Sequence, residues 1–133
     1  MARTDTFHCS VITPERAVLE AEATQVVFPA HDGEVGILRG RAPLLYKMGS
    51  GLLRLEGPEG DRSLFVDGGF AQMVDNRLTI LTEQAKEVSE LDRAAAERAL
   101  AEARQMPMGT DSQFAARQRA VESARAQIKL AGR

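Results

Sequence analysis

The hydrophobic period of this chain changes once, near Glu87. Before that point, apolar residues recur in short segments broken by Gly, Pro, Asn or Asp; after it, they recur at helical spacing in a stretch rich in Ala, Glu, Arg and Leu. Periods of two and of 3.6 residues belong to different backbone geometries, so one architecture cannot serve the whole chain. The sequence therefore divides into a sheet domain over residues 1–86 and a helical region over 87–133.

In the first part, Phe7, Cys9, Val11 and Thr13 alternate with His8, Ser10 and Ile12 and end at Pro14. Residues 18–19 form a brief second segment, and residues 23–28 stop at Pro29. Residues 33–38, 44–48, 52–56, 63–66, 70–74 and 78–81 supply further strands. Eight or nine short strands with no helix-length pattern between them predict antiparallel sheets packed face to face, a β-sandwich. Residues 56–61 form a polar hairpin connection, and Val74, Asp75, Asn76 and Arg77 turn tightly between two apolar strands. Gly68 and Gly69 mark a bulge or a backbone conformation that a Cβ opposes.

Residues 89–105 contain neither Gly nor Pro and favour helix. Ser89 followed by Asp92 resembles a capping box and places the first turn just beyond Ser89. Pro107 stops that helix, Gly109 suits a left-handed turn, and Thr110 with Gln113 opens a second helix carrying Phe114, Val121, Ala124, Ile128 and Ala131 on one stripe. The result is an antiparallel two-helix hairpin joined over residues 106–111. The first helix offers mostly Ala94, Ala95, Ala99 and Ala103, with Leu91 and Leu100 as larger members. Alanine removes little area from water, so weak docking and a mobile hairpin are one reading, a stable hairpin the other.

Charge separates the regions further. Residues 1–86 and 87–111 each sum to −3, whereas residues 112–133 sum to +4, with Arg117, Arg119, Arg125, Lys129 and Arg133 against Glu122. An acidic protein surface could hold this helix, or the cations form a solvated face. The whole chain, at −2 and without an aromatic platform, has no general reason to bind nucleic acid. The start MARTDTFHCSVITPE has no signal-like apolar core, and no apolar run approaches the roughly 20 residues needed to cross a bilayer, so neither export nor direct membrane insertion is expected.

The richest cluster of chemistry-bearing residues lies in PAHDGEVGILRGRAPLL, residues 29–45. His31, Asp32 and Glu34 are too local to converge as metal ligands, and the other histidine is His8. Cys9 beside His8 fails as a nucleophile pair, because adjacent strand residues face opposite sides; Cys9 reads as a buried apolar residue. Gly33, Gly36 and Gly40 form neither a P-loop nor a dinucleotide turn. Tyr46 supports an edge or loop, and Met106 and Met108 flank Pro107 as gap-fillers or exposed linker residues. Arg39 and Arg41 can meet an acidic partner above Leu38, Leu44 and Leu45. A protein-binding tip and a structural loop remain the two readings.

Two blocks, FHCSVITPER with HDGEVGILRGRAPLL, and FVDGGFAQMVDNRLTILTEQA, stand in this order before an alanine-rich helical hairpin. Together they strongly resemble the epsilon subunit of the bacterial F-type rotary ATP synthase, over essentially the whole chain. The resemblance implies a central-stalk subunit without a catalytic site, coupling the gamma subunit and the membrane rotor ring of c subunits to proton-driven ATP synthesis. It implies a peripheral place on the cytoplasmic side of the bacterial inner membrane.

Carried over by position, the rotor-ring contact falls on His31, Asp32, Gly33, Glu34, Val35 and Gly36. Arg39 stands where the family commonly has Pro and Arg41 where it has His, which makes both candidate partner contacts. Gly68, Gly69 and Phe70 match the second block in a packing role. The hairpin is implied to regulate ATP hydrolysis by changing position, setting Arg117, Arg119, Arg125 and Lys129 against acidic surfaces of the alpha/beta catalytic head. Some members bind ATP through a Leu-Asp-x-x-Arg-Ala pattern. Here Leu91 and Asp92 are followed by Arg93, and Ala95 holds the position of that arginine, so no cofactor is expected. The competing readings are a standalone sandwich-hairpin binding adaptor and, more distantly, an enzyme using the His31 loop.

Overall fold

The computed structural model describes residues 5–132. Its strands, in chain order, are β1 (Phe7–Ile12), β2 (Ala17–Ala23), β3 (Gln25–Ala30), β4 (Gly33–Leu38) and β5 (Leu44–Lys47), then β6 (Ser50–Glu56), β7 (Arg62–Asp67), β8 (Phe70–Val74), β9 (Arg77–Leu81) and β10 (Ala85–Glu87). They make two five-stranded sheets, ordered β2-β1-β9-β8-β5 and β10-β7-β6-β3-β4. Inward-facing residues of both sheets form one core in which Phe7, Phe28, Ile37, Leu53, Leu55, Leu64, Met73, Leu78 and Ile80 are essentially solvent-free. Each such side chain contributes roughly 1.5–3 kcal/mol, which makes this the rigid part of the molecule.

The expected β-sandwich is present, with four corrections to its details. The sheets are not wholly antiparallel: β1 runs parallel to β9, pairing Cys9 with Leu78 and Val11 with Ile80. These strands lie far apart in sequence, so no hairpin constrains their direction, and reading neighbours along the chain sees only antiparallel pairs. Pro29 does not end β3, which continues to Ala30; the β6 ladder on β3 covers Gln25, Val26 and Val27, so the missing N–H of Pro29 falls beyond it. Strand β2 continues through Glu20 and Glu22 because both lie opposite polar partners of β1, Ser10 and His8. Finally, β10 carries no apolar alternation, yet it pairs Ala85, Lys86 and Glu87 with Val66, Phe65 and Leu64.

The predicted turn at residues 74–77 is tight, with Asp75 at φ 51° and Asn76 at φ 59°. Two successive left-handed residues give the type I′ geometry that matches strand twist. Gly68 and Gly69 also have positive φ, +67° and +97°, and a Cβ on Gly69 would overlap the Leu81 carbonyl oxygen. Close backbone approach therefore requires that glycine.

The chain separates into two compact units, one reaching Glu87 and the other beginning at Val88. The second starts with a 3₁₀ turn (Val88–Glu90), followed by α1 (Arg93–Arg104) and α2 (Asp111–Ala131). Ser89 is not the cap of α1. Asp92 is, accepting the Ala94 and Ala95 N–H groups at 3.0 and 3.3 Å; the 3₁₀ turn takes up the residues before it. Gly109 does not adopt the left-handed conformation. The Thr110–Gln113 capping box forms as expected. The helices are antiparallel: Arg117 near the start of α2 meets Arg104 at the end of α1, and Gly132 lies beside Arg93.

The seam is thinner than expected. On α1, Ala96 and Ala103 are buried and Leu100 half-buried, while Ala94, Ala95 and Ala99 are exposed. On α2, Val121, Ser123, Ala124 and Leu130 are buried. Phe114 is 50% exposed, because Arg117, one turn further on, already faces the final carbonyl of α1, so no helical turn of α1 stands opposite Phe114.

Candidate protein-docking surface

The tip of the β3–β4 hairpin carries His31 and Asp32 as a two-residue loop, with Ala30 opposite Gly33. Its base is stapled to the neighbouring corner: the His31 N–H donates to the Lys47 carbonyl at 3.0 Å, and the Gly49 N–H to the Pro29 carbonyl at 3.0 Å. His31, Asp32, Gly33, Glu34 and Gly36 are exposed, and Val35 is half-buried against the core. Strand alternation turns Val35 and Ile37 inward and leaves Glu34 and Gly36 outside. Among the described residues no three His, Cys, Asp or Glu side chains could hold a metal ion. This tip presents side chains outward on a braced hairpin, which suits contact with another macromolecule.

Beside it, Arg39 and Arg41 lie on the exposed connection from β4 to β5, flanked by Leu38 and Leu45, 59% and 69% exposed. Gly40, at φ +83°, donates its N–H to the Asn76 side-chain oxygen at 2.7 Å. The Arg41 N–H donates to the Leu38 carbonyl at 3.3 Å, and its guanidinium donates to the Gly36 carbonyl at 3.4 Å. Sequence reasoning missed the part Asn76 plays in this loop. The available signal was Asn rather than Gly at a left-handed turn position, where a side-chain amide adds a function that Gly lacks.

A second exposed region lies on the outer face of the β1–β9–β8–β5 layer. Ile12, Leu81, Phe70 and Lys47 form one cross-strand row, with Val74 and Leu45 further along the same strands. Phe70 and Leu81 are about half exposed and border a groove of about 370 Å³ lined also by Pro14 and Gly69. The packing role expected of Phe70 thus differs from its position, which is half in solvent. Thr13, Thr82 and Glu83 complete the groove, so large apolar side chains rimmed by polar ones stand in solvent here, an arrangement that suits contact with another protein.

The four cations assigned to the second helix do not act alike. Arg117 is half-buried, donates to the Arg104 carbonyl at 3.3 Å, and has a buried Nε. It neutralises the carbonyl end of α1. Arg119, Arg125 and Lys129 are exposed, fall within roughly 120° of one another around the helix, and have no ion pair among the described residues. At the start of α1, Asp92 is engaged as the cap and Arg93 pairs with Glu97 at 3.3 Å. Cys9 is buried, and burial pushes its thiol up to about 12. No described helix is long and apolar enough to cross a membrane.

Against known proteins, the β-sandwich domain of the ATP synthase delta/epsilon chain matches residues 6–88. The chain belongs to the ATP synthase delta/epsilon family. Within it, the sequence is 45% identical over 123 residues to the ATP synthase epsilon chain of Rhodopirellula baltica, covering 92% of this chain and 96% of that one. It is 40% identical over 96 residues to the chloroplastic epsilon chain of Guillardia theta, covering 72% and 73%. The fold also matches a chain of the Euglena gracilis mitochondrial ATP synthase, with a TM-score of 0.77 at 21% identity over 95% of this chain and 81% of that chain. The family's sandwich therefore coincides with the ten-stranded unit, and the Rhodopirellula match extends into the helical hairpin.

Proposed function

We propose that this chain is a non-catalytic central-stalk subunit of a proton-translocating ATP synthase, carried on the cytoplasmic face of the bacterial inner membrane. The observation that carries this reading is the 45% identity to an epsilon chain over almost the full length of both proteins. The geometry supports it: a solvent-free core holds two separate exposed surfaces at fixed positions. Such a body transmits torque because it does not deform under load.

In this reading the sandwich up to Glu87 is the docking domain. The tip at His31, Asp32, Gly33, Glu34, Val35 and Gly36 rests on the rotor ring of c subunits. The apolar groove bordered by Ile12, Phe70 and Leu81 buries against the gamma subunit. The helical unit from Val88 is regulatory: a seam in which Val121 and Leu130 are, among the described residues, the only larger side chains fully buried, beside Ala96, Ala103, Ser123 and Ala124, is weak enough to exchange for contacts with the alpha/beta catalytic head. Arg119, Arg125 and Lys129 supply the charge for those contacts.

The test is reconstitution. ATP synthase lacking this subunit should recover coupled, proton-driven ATP synthesis on addition of the chain, and the chain should copurify with gamma and the ring. Failure to bind that assembly, with the sandwich shown to be folded, would leave the standalone adaptor as the better reading.

A further inference from the structure

Arg39 and Arg41 lie on a five-residue connection, 39–43, that crosses from one sheet to the other and belongs to neither. A segment of that kind would ordinarily sample many conformations, and two guanidinium groups on it would meet a partner in no fixed geometry. Among the described residues its backbone has one long-range tie, the 2.7 Å hydrogen bond from the Gly40 N–H to Asn76 Oδ1. Gly40 lies between the two arginines, so this single bond fixes the midpoint of the pair.

Asn76 is itself held firmly. It is the second residue of the β8–β9 turn at φ 59°, and its carbonyl accepts the His8 N–H at 3.0 Å at the start of β1. One residue thus joins the β8–β9 turn, the first strand and the arginine loop. A glycine would satisfy the turn and the His8 bond equally well. The side-chain amide is surplus to the turn, and the loop is what it serves.

We propose that Asn76 is a positioning residue for the Arg39–Arg41 loop, which the structure assigns as a docking element for an acidic segment of a partner protein flanked by apolar residues. The partner chemistry follows from what the loop exposes: two arginines, of which Arg41 spends only one Nη1 hydrogen bond, on the Gly36 carbonyl, with Leu38 and Leu45 beside them and more than half in solvent. Arginine forks bind carboxylates in pairs of parallel hydrogen bonds, and that gain depends on both groups arriving in register. The inference rests on the proposed stalk assembly for its partner, though not for the role of Asn76 within the fold.

Asn76→Gly separates the side chain from the turn, because it keeps the left-handed backbone and deletes only the acceptor. In the full-length chain, Gly40 amide exchange should accelerate at least tenfold while the thermal midpoint stays unchanged. Asn76→Asp, which retains an acceptor oxygen, should restore Gly40 protection. Binding is read with a gamma–rotor ring assembly purified without this subunit. Asn76→Gly should weaken it about fivefold at low salt, roughly what one well-placed charged pair supplies, with no further loss when combined with Arg39→Ala/Arg41→Ala. Unchanged Gly40 exchange overturns the positioning role, as does faster exchange with wild-type binding. Wild-type binding by Arg39→Ala/Arg41→Ala overturns the docking role of the loop, whereas no binding by the wild-type chain overturns the stalk reading itself.

Discussion

Arg62 and Glu87 join the last two strands of their sheet: Nη2 of Arg62 lies 2.6 Å from Glu87 Oε2, and Nε donates to the same oxygen at 3.2 Å. Glu87 is the final residue of β10, the strand after which the helical unit begins. The hydrogen bond to Glu87 holds the Arg62 guanidinium above its ordinary range. Both side chains are a third or more exposed, 42% and 33%, and the contribution is correspondingly small. Glu87→Gln should cost about 0.5–1 kcal/mol and raise amide exchange at Ala85, Lys86 and Glu87 selectively. Uniform acceleration across both sheets would mean that the pair supports the whole sandwich rather than its last strand.

Gly68 and Gly69 both have positive φ, but they differ in what surrounds them. A Cβ on Gly68 meets open space, whereas one on Gly69 overlaps the Leu81 backbone. Gly68→Ala should therefore cost about 1–2 kcal/mol through left-handed strain alone. Gly69→Ala must also part β8 from β9, and should cost about 3 kcal/mol or more, or prevent folding. Denaturant midpoints of the two variants decide this, and equal losses would place the constraint in φ and not in strand proximity.

The sandwich was legible because alternation reports burial directly: Phe7, Cys9 and Val11 point inward as their spacing requires. The 74–77 turn and the Thr110–Gln113 box were legible because their chemistry is local. What escaped depends on distant partners. Nothing near β1 announces that Cys9 lies parallel to Leu78, and Lys86 becomes strand only because Phe65 stands opposite. The β3–β4 hairpin that ends at His31 and Asp32 was legible as two strand segments meeting at Gly33, whereas its contact role rests on resemblance. The hydrogen bond from Gly40 to Asn76 spans 36 positions and leaves no periodic trace. Four cations on one helix looked equivalent until packing turned Arg117 toward α1.

Cys9 gives the pH dependence its sign. Burial raises the thiol from an ordinary 9.0 to about 12, so between those values the unfolded chain loses a proton that the folded chain keeps. The folded state then binds more protons, and its stability falls as pH rises, by about 1.4 kcal/mol per pH unit from this group. Cys9→Ala should flatten that slope above pH 9 while lowering stability at pH 7, where it leaves a small cavity. Native protein should also resist thiol-specific reagents at pH 8 and react fully in denaturant. Rapid labelling of the folded chain would contradict the burial of Cys9.

The hairpin cations yield a test with two opposite outcomes. Arg119, Arg125 and Lys129 are exposed on one side of α2, so neutralising them leaves the compact hairpin intact and removes only contacts made elsewhere. Exposed pairs are weak individually, and three together should supply about 1–2 kcal/mol, a five- to thirtyfold shift between extended and compact positions. Replacing all three with Gln should raise ATP hydrolysis by the assembled complex without changing hairpin stability. Arg117→Gln should act differently, because its guanidinium holds the last carbonyl of α1: it should loosen the hairpin and favour the extended position proposed to inhibit hydrolysis. If Arg117→Gln relieves inhibition as strongly as the triple change, the half-buried arginine makes the inhibitory contact itself, and the division of the four cations into one clamp and three docking charges is wrong.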